Sequence, residues 1–78
     1  MISYTQLLAD MARAIVEHPD DVNVTEEEKE DEIVLTLSVS EGDMGMVIGK
    51  HGNIARAIRT VVKAAGKLDD KKITVDIK

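Results

Sequence analysis

The residues whose types and spacing best suit a chemical task are Gly49, Lys50, His51 and Gly52, which form a G-x-x-G turn. A glycine at each end lets the backbone adopt positive φ and lets another backbone come close. We expect a helix directly after the turn, and a helix N-terminus offers N–H groups and a positive dipole end that suit a phosphate. Lys50 adds a full charge. The motif alone is weak, because many helical turns use two glycines, so its meaning depends on the elements around it.

The helix expected at residues 53–65 carries cations on one side only. On a helical wheel its polar residues occupy one arc without any acid, and they are Arg56, Arg59, Thr60, Lys63 and Lys67. Arg59 and Lys63 form a like-charged i,i+4 pair, which opposes helix stability. We interpret the arc as a patch for polyanions, in preference to a merely solubilising face.

The apolar half of the same helix is wider than one core requires. Its flanks, such as Ala55 and Val62, are predicted to line a groove or a subunit contact. The alternative is that a core with Tyr4 as its single aromatic residue needs a wide apolar face. Both interpretations stay open at this point.

Composition and charge exclude several classes of protein. The chain has no cysteine, so disulfides and thiolate metal sites are excluded. No stretch resembles a signal peptide or a membrane span. Residues 49–78 hold eight bases and three acids, whereas residues 1–48 hold two bases and twelve acids, so the net charge of -5 hides a basic half.

No set of residues suits catalysis or a metal. Gly45 and Gly49-Lys50 superficially resemble a P-loop, but the spacer is one residue short and His51 replaces the magnesium-binding hydroxyl. His18 precedes a proline at a helix end, which indicates a structural role, and two isolated histidines make no metal site. No nucleophile is evidently paired with a base. The sequence therefore indicates a binding protein without cofactor or metal, and not an enzyme.

Hydropathy periods and chain breakers predict the elements that position the turn. They are a helix at 3–17 capped by Ser3, a short strand at 22–25, an acidic connection from Glu26 to Glu32, a strand at 32–40, a short helix capped by Asp43, a helix at 53–65 with Gly66 as C-cap, and a strand at 72–78. In the second strand Val34, Thr36 and Ser38 should face away from the core. The order α-β-β-α-α-β predicts a single α+β domain over residues 1–78. It is a two-layer sandwich in which all helices cover one face of a three-stranded mixed sheet.

The run from Val47 to Ile54, continuing to Ile58, resembles the V-I-G-x-x-G-x-x-I signature of KH domains. The order of elements resembles the type II, or prokaryotic, KH arrangement, and the whole chain resembles the small single-domain bacterial KH proteins. This resemblance implies a cytoplasmic RNA-binding protein that pairs with itself or with another KH-containing protein. It also implies that a loop clamps about four nucleotides of single-stranded RNA by their backbone.

Carried over to this chain, the clamp is Gly49, Lys50, His51 and Gly52, with Ile48, Asn53, Arg56 and Arg59 beside it. The acidic link between the first two strands corresponds to the family's variable loop, which can flank the RNA, and its acids would oppose tight binding. The resemblance suggests an RNA chaperone or a regulator of translation. The alternative is a KH-fold interaction module that assembles protein partners without binding RNA tightly, and the bases gathered around the turn favour the first.

Overall fold

The computed structural model describes residues 3–78, and within them the predicted order of elements is confirmed. The helices are α1 (Tyr4–Ile15), α2 (Met44–Ile48) and α3 (Asn53–Leu68), and the strands are β1 (Asn23–Glu28), β2 (Ile33–Ser38) and β3 (Ile73–Ile77). Single turns of 3-10 helix lie at Pro19–Asp21, Glu41–Asp43 and Lys50–Gly52. Ser3 caps α1 as predicted, since its hydroxyl accepts a hydrogen bond from the backbone N–H of Gln6. No helix in this part of the chain is long and apolar enough to cross a membrane.

The sheet has β2 in its centre, antiparallel to β1 and parallel to β3. The alternation of residues in β2 decides which face of the sheet is buried. Ile33, Leu35 and Leu37 are buried, while Val34, Thr36 and Ser38 are only half-buried on the other face. The helices cover the buried face alone, so the predicted α+β two-layer sandwich with a mixed sheet is confirmed.

The core between the layers is aliphatic, with Leu8, Leu35, Leu37, Val47, Ile58 and Val62 among its fully enclosed side chains. Tyr4 closes one end of this core, where its hydroxyl donates a hydrogen bond to the carboxylate of Asp69. That hydrogen bond, together with burial and the negative charge, raises the pKa of Tyr4 to about 12. The start of α1 is thereby joined to the end of α3.

The acidic segment differs from its prediction, because β1 continues through Glu28. Glu26, Glu27 and Glu28 pair with Leu35, Val34 and Ile33 of β2, so the predicted connection from Glu26 to Glu32 was wrong in its first half. The turn itself covers residues 29–32 and is closed by a 2.7 Å bond from the Lys29 N–H to the Glu32 carbonyl. Because β1 is an edge strand, its glutamates reach water and discourage pairing with another chain.

Gly66 also has a role that was not predicted. The helix α3 runs on to Leu68 with Asp69 as its C-cap, so the prediction that Gly66 ends the helix was wrong. A Cβ at Gly66 would lie 2.6 Å from Cδ1 and 2.8 Å from Cγ1 of Ile73, and 3.0 Å from the Lys71 carbonyl oxygen. The glycine is therefore required by the close approach of α3 to β3.

We expect Gly66→Ala to destabilise the protein by about 1 kcal/mol. Overpacking a core costs about 1–3 kcal/mol, which exceeds the gain of about 1 kcal/mol from replacing a helical glycine. The matched control is Gly45→Ala in α2, where a Cβ meets no atom within 4 Å. That variant should gain about 0.5–1 kcal/mol. Thermal melts of both variants test the contrast, and an equal gain in both would show that α3 and β3 are not in close contact.

Candidate nucleic-acid interface

The loop begins at Gly49, whose backbone conformation only glycine tolerates. Its φ of 75° and ψ of 173° lie in a region that side chains essentially exclude. A Cβ at this position would lie 2.7 Å from Cβ and 3.0 Å from the backbone nitrogen of Ile54. The loop therefore folds back against the first turn of α3, and the predicted need for glycine at this position has a steric cause.

The rest of the loop presents backbone and two polar side chains to solvent. His51 and Gly52 have φ of 58° and 74°, the left-handed region in which histidine is among the more frequent non-glycine residues. The side chains of Lys50 and His51 are exposed. Gly52 is the N-cap of α3 and offers no side-chain hydrogen bond, so no capping side chain covers the positive end of that helix.

A buried carboxylate that the sequence did not reveal lies at the start of α2, the helix that leads into the loop. Asp43, at the N-cap position of α2, makes no side-chain capping hydrogen bond, so its predicted role was wrong. Its carboxylate, in a residue only 1% exposed, lies 2.9 Å from the backbone N–H of His18, which donates to it, and 3.0 Å from the His18 Nδ1. The structural role predicted for His18 is thus to tie the end of α1 to the start of α2.

This contact shifts both ionisations. Burial alone would raise the pKa of Asp43, but the hydrogen bonds from the His18 side chain and backbone outweigh it, so the pKa of Asp43 is lowered. The hydrogen bond to Asp43 and the charge of that carboxylate raise the pKa of His18, against a smaller effect of desolvation. The pair is thus most stable with both groups charged.

Helix α3 has three faces, and only one of them is buried. The buried face consists of Ala55, Ile58, Val62 and Gly66. A second face, which we call the apolar stripe, is exposed and consists of Ile54, Ala57, Val61, Ala64 and Leu68. The third, which we call the basic face, carries Arg56, Thr60, Lys63 and Lys67, all exposed. Of the two interpretations left open for Ala55 and Val62, a groove or subunit contact does not apply, because both residues are buried in the core and the opposite flank is the exposed one.

The predicted site residues meet at the N-terminal half of α3. Arg56 is exposed, and its Nη1 donates to the Asn53 side-chain oxygen at 3.0 Å. Arg59 is half-buried, and its Nε donates to the backbone carbonyl of Val75 at 3.2 Å. Since β3 is an edge strand, the Arg59 guanidinium spans the gap between α3 and that edge. Ile48 is half-buried just before the loop.

The acidic turn lies at the opposite end of α3 from this cluster. It sits beside the turn that follows α3, where the Ile33 N–H donates to the Lys72 carbonyl at 2.9 Å. The 16 residues of α3 separate that end from the loop by about 24 Å. Within residues 3–78, no ion pair involves Lys50 or a cation of α3, so this positive charge is not neutralised locally.

A protein-family model described as "KhpA/KhpB, KH domain" matches residues 5–77. Among curated relatives, "RNA-binding protein KhpA" of Clostridium perfringens is 51% identical over 72 residues, covering 92% of this chain and 96% of that protein. The protein of the same name from Listeria monocytogenes is 49% identical, with coverage of 92% and 95%. That from Bacillus subtilis is 46% identical over 71 residues, with coverage of 91% and 88%.

Solved structures with a similar fold include two of Era. A crystal structure of Aquifex aeolicus Era bound to GDP.AlF4- superposes with a TM-score of 0.72 at 17% identity, covering 96% of this chain and 30% of Era. Era in complex with MgGDPNP and nucleotides 1506–1542 of 16S ribosomal RNA gives a TM-score of 0.68 at 16% identity, with coverage of 95% and 28%. The chain thus spans less than a third of these structures, and at this identity the likeness concerns the fold alone.

The His18–Asp43 contact should make stability depend on pH. The raised pKa of His18 gives stability that is fully present below its ordinary value of 6.5 and is lost as pH rises through the raised value. The lowered pKa of Asp43 gives stability that is present above 3.8 and is lost as pH falls through the lowered value. Both contributions are therefore complete between pH 3.8 and 6.5.

Thermal melts of the wild type and of His18→Gln from pH 5 to 9 test this expectation. At pH 5 the wild type should melt at a higher temperature than His18→Gln. This difference in melting temperature between the two proteins should shrink towards pH 9. His51→Gln, which removes the other histidine, is the control and should keep the wild-type profile. If the melting temperatures of the wild type and His18→Gln differ by the same amount from pH 5 to 9, the ion pair is contradicted.

Proposed function

This chain belongs to the KhpA/KhpB family of KH domains, and on that premise we propose that it binds single-stranded RNA through the loop of residues 49–52 and the adjoining half of α3. The proposed contacts are Gly49, Lys50, His51 and Gly52, flanked by Ile48, Asn53, Arg56 and Arg59. Relatives that align over nearly their whole length are named RNA-binding proteins, which supports this class of ligand.

The observation that carries the proposal is a left-handed loop at an uncapped helix N-terminus. Gly49 and Gly52 have positive φ, and the positive end of α3 begins at Gly52 without a capping side chain. A phosphate can approach this backbone closely at Gly52, where a Cβ position faces open space, whereas the lack of a Cβ at Gly49 lets the loop pack against Ile54. Lys50 and Arg56, both exposed, add full charges on either side.

The geometry favours a single strand over a duplex. A clamp that holds the phosphates of about four nucleotides leaves their bases splayed, whereas an A-form duplex is recognised mainly by shape across its minor groove. The loop is one short turn, and such a contact does not span a duplex groove. We propose that the protein acts on RNA in the bacterial cytoplasm, as an RNA chaperone or post-transcriptional regulator, because contacts to the phosphate backbone read no base and so accept many RNAs.

The apolar stripe supports a second proposal, that two copies of the chain pair through α3. Its residues recur at spacings of three and four along the helix, the a/d pattern of helices that pack together. Ile54, Val61 and Leu68 are 38%, 47% and 86% exposed. Asn53 and Thr60, which are uncharged, lie between the stripe and the cations in the first half of α3, so two such helices can approach closely there. A two-fold dimer would use this same patch on both copies.

The first test replaces Lys50 and His51 together by Asp. The change puts carboxylates where the phosphate is expected, and each charge contributes on the order of 1 kcal/mol, so affinity for single-stranded RNA should fall at least tenfold. The fold should survive within about 0.5 kcal/mol, since both side chains are exposed and aspartate is frequent at the positive φ of position 51. Filter binding and thermal melting give the two readouts.

The control makes the same change in charge on α1, with Thr5→Glu and Arg13→Glu, on the side that adjoins β1. It should bind RNA nearly as the wild type does. Intact RNA binding by the folded Lys50→Asp/His51→Asp variant would refute the clamp. Equal or tighter binding of a matched duplex would contradict the preference for single strands. Loss of protein association instead of RNA binding would favour an interaction module.

The second test is Val61→Glu, which puts a charge in the middle of the apolar stripe. Val61 is half-exposed, so the monomer should stay folded, whereas the dissociation constant of the dimer should rise at least tenfold because a carboxylate would be buried at the contact. Sedimentation at micromolar concentrations measures it, with Lys63→Glu on the basic face as the control. A wild type that stays monomeric would contradict pairing of two copies, and co-purification of another KH-domain protein would identify the partner instead.

A further inference from the structure

A cluster of lysines lies at the end of α3 that is remote from the loop. Lys63 and Lys67 extend from the last turns of α3, and Lys71 and Lys72 from the turn that follows it. Together with Ile73 and Thr74 these four side chains line a shallow surface cavity of about 240 Å³. We call them the lysine cluster. None of its members belongs to the loop or to the residues assigned to it above.

The lysine cluster lacks carboxylate partners within residues 3–78, since no ion pair of this part of the chain includes any of its members. Lys63 and Lys67 are a like-charged i,i+4 pair, which costs helix stability. Asp31 and Asp70 line a neighbouring cavity together with Lys67, Lys71 and Lys72, and the Glu32 carboxylate accepts a hydrogen bond from the Thr74 hydroxyl at 2.7 Å. Carboxylates therefore border the cluster on one side and leave the side along α3 entirely basic.

The cations form a continuous path from the loop to this cluster. Arg56, Lys63 and Lys67 follow one another along the basic face, with only the uncharged Thr60 between them. From Asn53 to Lys67 the path covers about 21 Å at 1.5 Å per residue. It ends where the acidic turn of residues 29–32 lies against Lys71 and Lys72. The path thus has a defined beginning and a defined end.

We propose that the lysine cluster is a second phosphate-binding site, which holds the backbone of the same RNA strand that the loop clamps. The proposal rests on the proposed function and extends it by giving the length of RNA bound. At about 3.4 Å per nucleotide, 21 Å corresponds to at most six nucleotides beyond the loop. With about four nucleotides at the loop, the strand in contact with one chain is at most about ten nucleotides long.

An RNA strand fits this surface better than a second protein does. The path carries positive charge alone and no exposed large apolar residue, because the apolar stripe lies on another face of α3. Lysines are point charges that suit phosphates at loosely defined positions and read no base. Contacts of this kind strengthen binding without specifying sequence, which complements a clamp that fixes position.

The experiment measures binding as a function of RNA length, with single-stranded oligoribonucleotides of fully mixed sequence and 4, 6, 8, 10, 12 or 14 nucleotides. Affinity should increase with RNA length up to about ten nucleotides and then level off. The increase should exceed the statistical gain that a longer RNA has from offering more positions at which the protein can bind. Lys63→Gln/Lys67→Gln should bind the ten-nucleotide RNA about tenfold more weakly and the four-nucleotide RNA within twofold of the wild type. Its salt slope for the longer RNA should be shallower by about 1.4, or 0.7 for each phosphate lost. The control, Arg13→Glu on the exposed side of α1, changes the net charge by the same two units and should change neither affinity.

Amide chemical shifts separate this proposal from the one it rests on. The short RNA should shift amides of residues 48–56, and the longer RNA should also shift those of residues 63–72. If both RNAs shift only the loop, the clamp stands and the second site is overturned. If neither RNA shifts the loop, the proposed function fails. If the Lys63→Gln/Lys67→Gln variant loses self-association but keeps its affinity for the ten-nucleotide RNA, the lysines form a protein contact and the second site is likewise overturned.

Discussion

The burial of one face of α3 determines where every candidate functional surface of this protein points. Ile58 and Val62 lie in the core with residues of the sheet and α1, and Gly66 brings the helix close to Ile73. Once that face is fixed, the helix cannot rotate about its axis without exposing aliphatic groups, at a cost of roughly 1.5–3 kcal/mol for each large side chain. The apolar stripe, the basic face and the loop at the N-terminus then take fixed directions from a single packing contact.

A second chain of contacts positions the loop. The buried Asp43 carboxylate binds His18 and so ties α2 to α1, Val47 anchors α2 in the core, and Gly49 then reverses the backbone against Ile54. Each of these contacts restrains the position of the next segment, so the backbone of the loop is ordered although the loop is exposed. A loop whose backbone is ordered in advance loses less conformational entropy when it binds a ligand, so more of the interaction energy appears as affinity.

The sequence predicted the features that depend on short-range patterns. The alternation of Ile33, Leu35 and Leu37 gave the correct core face of β2, and the G-x-x-G spacing gave the loop with its positive φ angles. The sequence did not show which part of the wide apolar side of α3 is buried. Periodicity places residues around the helix axis, but it does not say which of them face the sheet.

The other errors likewise arose from contacts between distant parts of the chain. Asp43 was interpreted as a local cap, whereas its partner His18 lies 25 residues away. Gly66 is required by Ile73 across a turn, and a glycine near a helix end has the same local signature whether it caps or packs. Glu26, Glu27 and Glu28 have poor strand propensity, yet pairing with β2 holds them in a strand. The sheet order then puts these acids at the edge opposite β3, and this arrangement governs how the molecule meets a polyanion. The molecule is 34 Å in its longest dimension, while electrostatic screening at physiological salt acts over about 8 Å. A strand of RNA near the surface therefore senses the local end of the protein and not its net charge of -5. In the proposed mode of binding the acidic edge is repelled and the basic helix is attracted, which turns the molecule towards the RNA before contact.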